Sequence, residues 1–136
     1  MEKLSKVTNF LKIDTNTQLM DKRKLKFLQQ NISRAKNRGQ KSWPSEITKF
    51  DVYNIGERQN WKCAITGDDL EFVRGGTTWQ NKWCNPQSCT IDRIDPTKGY
   101  TTDNIQLLTH KANTWKSSFS NEELKVLSMQ CLGKTT

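Results

Sequence analysis

Nowhere in the chain do apolar residues run on for the ~20 positions that a membrane span needs. The N-terminus has no apolar stretch of the signal-peptide kind. Neither membrane insertion nor secretion is expected, and a cytoplasmic setting is. The sequence contains no C-x-x-C pair, although it has four cysteines. Cys84 and Cys89 bracket Asn85-Pro86-Gln87-Ser88, a wider gap than zinc knuckles use, so reduced thiols are expected. There is no internal repeat and no low-complexity tract. Histidine occurs once, at position 110, which leaves little choice for a neutral-pH proton carrier. With 136 residues and 33% hydrophobic side chains, the chain can bury one core but not a second substrate domain.

Acidic residues are also missing where basic ones gather. Residues 22–41 hold eight Lys or Arg and no Asp or Glu. Residues 1–62 carry a net +8 and residues 63–136 carry none, so the whole excess sits in the first half. A segregated basic block is what a polyanion requires, because each neutralised phosphate releases counterions.

The basic block has helical spacing over residues 17–38. Leu25, Leu28, Ile32 and Ala35 form one stripe, and Arg23, Lys26, Gln30, Arg34, Asn37 and Arg38 lie opposite. Gly39 is a natural stop. A short helix is expected near residues 4–11, and Trp43-Pro44-Ser45 breaks the chain. A second helix is predicted over residues 48–59 with Phe50, Val52 and Tyr53 inward, although Gly56 weakens its end. Residues 61–68 read as a short apolar segment ending in a turn. Residues 70–73 are strand-like. Gly75-Gly76 is a turn, followed by an extended loop holding Trp79 and Trp83. Residues 89–95 alternate as a strand that Pro96 ends. A third helix is expected from Thr102 or Asp103, with Ile105, Leu108, Ala112 and Trp115 buried. Ser120 and Glu123 are spaced as a capping box for a last helix carrying Leu124, Leu127 and Cys131.

Residues 92–113 concentrate the groups that phosphodiester cleavage needs. That reaction requires charge to be stabilised on a crowded phosphorane and on a leaving alkoxide, which a divalent cation held by hard oxygen ligands can do. Asp92 at a strand end and Asn113 on the following helix supply one carboxylate and one amide oxygen. Thr109, His110, Asn113 and Lys116 are expected to share a polar helix face opposite Leu108 and Ala112.

Three segments carry a family resemblance: Thr90-Ile91-Asp92-Arg93-Ile94-Asp95, Gly99-Tyr100-Thr101-Thr102-Asp103-Asn104, and His110-Lys111-Ala112-Asn113-Thr114-Trp115-Lys116. Together they resemble the HNH endonucleases, in particular the phage-borne and homing-type branch that reads DRID, GYT.DN and N..K. Cys63-Ala64-Ile65-Thr66-Gly67 resembles the segment that precedes the core in many members. The likeness spans about residues 60–127. It implies an α+β chain with a ββα-metal nuclease core at residues 60–136 and a basic helical DNA-binding extension at residues 1–59. By motif position Asp92 and Asn113 resemble the metal ligands, and Asn104 the asparagine that ties the hairpin loop.

Two departures accompany the likeness. Arg93 stands where the family usually has the histidine that deprotonates water, and a guanidinium stays protonated. Arg93 is then expected to clamp phosphate or stabilise the transition state. His110 is the first substitute base, followed by Tyr100, Tyr53 and Asp95, the last of which also reads as a turn cap before Pro96. The places matching a structural zinc are Cys63, Thr66, Thr109 and Ala112, so zinc is not expected. Trp61, Trp115 and Phe119 are the candidate replacements in packing.

The resulting expectation is a metal-dependent endonuclease of duplex DNA, using Mg²⁺ or Mn²⁺, of phage or homing type. Arg23, Lys26, Arg34, Arg38 and Lys116 would hold backbone phosphates. A non-catalytic DNA-binding module and a branched-DNA resolving nuclease are the alternatives. The sequence leaves open a monomer or a homodimer.

Overall fold

The structure, a computed structural model, describes residues 20–37, 46–75 and 84–135. The expected helix near residues 4–11, the Trp43-Pro44-Ser45 break, Arg38 and Gly39, and the loop with Trp79 and Trp83 lie outside the described residues. Among the described residues the chain is α+β, with four helices and one two-stranded antiparallel sheet. In chain order these are α1 (Lys22–Asn37), α2 (Lys49–Arg58), β1 (Cys89–Arg93), β2 (Ile105–Thr109), α3 (His110–Lys116) and α4 (Asn121–Thr135). None of the described helices is long and apolar enough to cross a membrane.

Helix α1 begins at Asp21, whose carboxylate accepts the free amides of Arg23 and Lys24 at 2.9 and 3.3 Å, the usual device at a helix start. Its stripe is buried as the spacing predicts: Leu25, Leu28 and Ile32 are in the core and Ala35 packs against it. Phe27 joins them. Helix α2 follows Thr48, whose backbone N–H donates to the Asp51 carboxylate at 2.8 Å. Val52 and Tyr53 face inward, but Phe50, expected beside them, is exposed.

Gly56 stands where α2 meets an aromatic cluster. A Cβ there would overlap the six-membered ring of Trp61, so the residue that weakens the helix is also what admits the ring. Trp61 stacks edge-on against Tyr53 and Phe72, with centroids 4.9 and 5.4 Å apart, and Phe72 meets Phe27 at 5.7 Å. Lys24 sets its ammonium 4.3 Å from the centre of the Trp61 ring, which is attractive through the ring quadrupole. Trp61 therefore belongs to the core. Trp115 and Phe119, expected to share that work, are exposed.

The strands pair from Cys89 opposite Thr109 to Arg93 opposite Ile105. This corrects the reading of residues 105–109 as helix. Ile105 and Leu108 have helical spacing, but all five residues of β2 are buried. A strand covered on both faces shows no alternation, and a short apolar run of that kind cannot be typed by period. Residues 70–73 do not form a strand; Glu71 makes only an isolated bridge to Ser88. Away from β1, the outer edge of β2 is met by the Ala64 N–H, which donates to the Leu107 carbonyl at 3.1 Å, and by the Gln59 side chain. Gln59 donates to the Leu107 carbonyl at 2.9 Å and accepts its N–H at 3.0 Å, as a neighbouring strand would.

One hydrophobic cluster takes Leu28, Ile32 and Val52 from the first half together with Leu107, Leu108 and Ala112 from the second. Asn31 also donates to the Cys89 carbonyl at 3.1 Å. The cluster thus draws on residues from both sides of position 59. Helix α4 starts at the expected capping box, with Ser120 and Glu123 bonded reciprocally at 3.1 Å. Beyond it Val126, Leu127, Met129 and Leu132 are exposed.

Candidate functional site

Strand alternation puts Thr90 and Asp92 on one face of β1 and Cys89 and Ile91 on the other. Cys89 and Ile91 face the hydrophobic cluster. Thr90 and Asp92 meet α3, which turns straight off the end of β2. Thr109 makes that turn possible: its hydroxyl accepts the Ala112 N–H at 3.2 Å, capping the helix.

Two α3 side chains one turn apart reach that face. Asn113 donates its Nδ2 to the Thr90 hydroxyl at 3.0 Å, so its carbonyl Oδ1 takes no part in that bond. Lys116 places its ammonium 2.6 Å from Asp92 Oδ2 and 2.5 Å from the Arg93 carbonyl. The same Oδ2 accepts Gln106 Nε2 at 2.9 Å, while Oδ1 takes neither bond. Asp92 and Asn113, the two expected ligands, both lie where α3 packs on β1, Asn113 bonded to Thr90 and Asp92 to Lys116. Each keeps one hard oxygen outside these hydrogen bonds, a donor set that suits a small divalent cation.

Lys116 is the clearest correction. Expected on the DNA-facing surface, it is 0% exposed, because the carboxylate it neutralises lies inside. Thr109 also differs, ending β2 as a buried cap rather than joining a polar helix face.

Asn104 ties the loop between the strands. Its Oδ1 accepts the Asp95 N–H at 2.9 Å and its Nδ2 donates to the carbonyls of Asp95 and Gly99 at 3.0 and 2.9 Å. Arg93 points away from Asp92. It lies 5.1 Å from the centre of the Tyr100 ring and donates to the Lys98 carbonyl at 3.3 Å.

The candidate bases separate by environment. The Tyr53 hydroxyl is in the core accepting the Asp21 N–H, and burial raises its pKa above the ordinary value. Asp95 accepts both the hydroxyl and the N–H of Thr97. These bonds, the hydroxyl first, hold its carboxyl below the usual range, so it caps a turn and makes a poor base. Tyr100 lies under Arg93. His110 remains: half-buried at the start of α3 and one turn before Asn113, with its own backbone N–H on the Ser88 carbonyl at 2.8 Å.

The four places matching a structural metal also converge. Thr109 reaches the Cys63 sulfur at 3.9 Å and caps Ala112. Burial raises the Cys63 pKa, but hydrogen bonds from Thr66, Thr109 and Ile65 outweigh it, and the net direction is downward. Hydroxyls and amides surround this thiol. Cys89, buried nearby, is pushed up to about 12 by burial and by Cys63.

The chain matches no family model, no curated protein and no solved structure.

On the basic face of α1, Arg23 and Lys26 are exposed. Arg34 is half-buried, and its Nη1 is buried with no hydrogen-bond partner. Sequence reasoning missed Gln106, Thr90 and Asn121. A signal existed for the first: a lone amide inside Ile105-Gln106-Leu107-Leu108 has to be satisfied if buried.

Proposed function

We propose that this chain is a metal-dependent DNA endonuclease whose working unit is β1, β2 and α3, and that the basic face of α1 holds the duplex. The single observation supporting this reading is that α3 lays Asn113 against Thr90 and Lys116 against Asp92 on one face of β1. Asp92 Oδ1 and Asn113 Oδ1 would hold the cation, Mg²⁺ or Mn²⁺, which when bound supplies charge stabilisation to the phosphate and the leaving oxygen. His110 is the base that takes a proton from the attacking water. Arg93, held against Tyr100, offers its guanidinium to phosphate. Asn104 acts through the loop it ties. Arg23 and Lys26 meet backbone phosphates, which position the duplex without reading its sequence.

The test is cleavage of supercoiled plasmid, linear duplex and a four-way junction, with and without Mg²⁺ or Mn²⁺. Wild type should cut only with metal. Asn113→Ala should abolish cutting, and His110→Ala should slow it by about 10²–10⁴-fold. A preference for the junction would make it a resolving nuclease.

A second reading is a DNA-binding module without cleavage, favoured by the Lys116–Asp92 pair, which already neutralises the carboxylate. DNA binding with no metal-dependent cutting on any substrate, the natural target included, would decide for that module.

A further inference from the structure

From the hydrogen bonds behind Asp92 we infer that Gln106 and Asn121 form a positioning pair that commits this carboxylate to hold a cation through Oδ1 alone. The inference rests on the reading of Asp92 as a metal ligand. Gln106 is the register partner of Asp92 on β2 and is 5% exposed. Its amide has two N–H donors and one oxygen, and all are used. One hydrogen of Nε2 goes to Asp92 Oδ2 at 2.9 Å and the other to Asn121 Oδ1 at 2.9 Å. Oε1 accepts Asn121 Nδ2 at 3.1 Å.

A glutamine amide can present either its oxygen or its nitrogen. Facing a carboxylate, the oxygen would repel and only the nitrogen binds. The carboxylate selects the nitrogen, and the reciprocal pairing then sets which way the Asn121 amide faces. The Asn121 backbone is in turn held just beyond the end of β1, its N–H donating to the Ile94 carbonyl at 3.1 Å. The capping box beside it sets the start of α4. Asp92 therefore has one oxygen held inward by Lys116 and Gln106, and it cannot swing to offer both. One-oxygen binding suits Mg²⁺ and Mn²⁺, whereas Ca²⁺ readily takes a carboxylate through both oxygens.

The test uses the full chain and metal binding rather than cleavage. Free Mn²⁺ is followed by electron paramagnetic resonance and Ca²⁺ by calorimetry, for wild type, Asn121→Ala, Gln106→Leu, the double variant and Asn113→Ala. Circular dichroism checks folding. In Gln106→Leu the Asn121 amide, half-buried, can turn to solvent, so this variant is informative even if Asn121→Ala folds poorly. Each single variant should weaken Mn²⁺ binding by about tenfold and narrow the preference for Mn²⁺ over Ca²⁺. The double variant should bind no more weakly than Gln106→Leu, because Asn121 acts only through Gln106. Unchanged affinity in both single variants, or additive losses in the double variant, would overturn the positioning pair while leaving the metal reading in place. No Mn²⁺ site in wild type, or a site untouched by Asn113→Ala, would overturn the metal reading and this inference with it.

Discussion

Replacing Lys116 with methionine removes one charge and keeps most of the side-chain volume. The ammonium lies 2.6 Å from Asp92 and neither partner is open to solvent, with side-chain exposures of 1% and 10%. Breaking a buried pair strands a carboxylate in a poorly solvating interior, at about 3–5 kcal/mol. Single domains have only about 5–15 kcal/mol in hand, so Lys116→Met should sit near the edge of folding. At roughly 2.1 cal/mol/K of unfolding entropy per residue, a chain of 136 residues loses about 3.5 °C per kcal/mol. The Tm should then fall by roughly 10–17 °C. Asp92→Asn combined with Lys116→Met removes both charges and leaves Gln106 an oxygen to bond, so more than half of the loss should return. Thermal melts by circular dichroism and urea titrations of the four proteins measure the coupling. A single-variant cost below about 1 kcal/mol, the range of solvated surface pairs, would refute the reasoning, and so would strict additivity. One practical consequence is that lost cleavage in Asp92→Ala contains an unfolding component, which makes Asn113→Ala the cleaner probe.

Gly56→Ala should destabilise by about 1–3 kcal/mol through overlap with Trp61, against the roughly 1 kcal/mol gain usual for this change in a helix; a rise in Tm would show that the ring moves aside freely. Charge reversal at Arg23 and Lys26 should weaken duplex binding and lower the slope of log K against log salt by about 2; an unchanged slope would make this face merely solvated. The Asp95 pKa is depressed in the folded chain, so its hold on Thr97 is complete above the ordinary carboxylate value and fades as pH falls through the lowered one. The Thr97 amide shift in a pH titration by nuclear magnetic resonance should follow that descent, and a midpoint at or above 3.8 would contradict it.

Helix α1 was legible because Leu25, Leu28 and Ile32 fall at helical spacing and face one core. The start of α4 was legible from the Ser120–Glu123 box, and α2 from Val52 and Tyr53, although Phe50 turned outward. Strand β2 was not, because both of its faces are covered and Ile105 and Leu108 fall at helical spacing. Misreading β2 hid the register, and with it the pairing of Gln106 with Asp92. Lys116 misled for a different reason. A lysine one turn beyond Asn113 reads as solvated or DNA-facing until the strand opposite is known to present a carboxylate. That the helix carrying Asn113 turns back onto the strand carrying Asp92 was legible from their spacing. What restrains Asp92 was not, since its partners Gln106 and Lys116 sit on β2 and α3, and Asn121 behind Gln106 sits on α4, which only the fold brings together.

Helix α3 is seven residues long, well short of the ~12–15 that an isolated helix needs to persist in water. It exists because Thr109 starts it and because its final residue is anchored beneath the sheet. A peptide covering residues 110–116 should be unstructured, and Asn113 has no fixed place until the hairpin has closed. Assembly of this corner of the molecule is therefore all-or-none: the Asn113 amide reaches Thr90 only when the chain has finished folding around it.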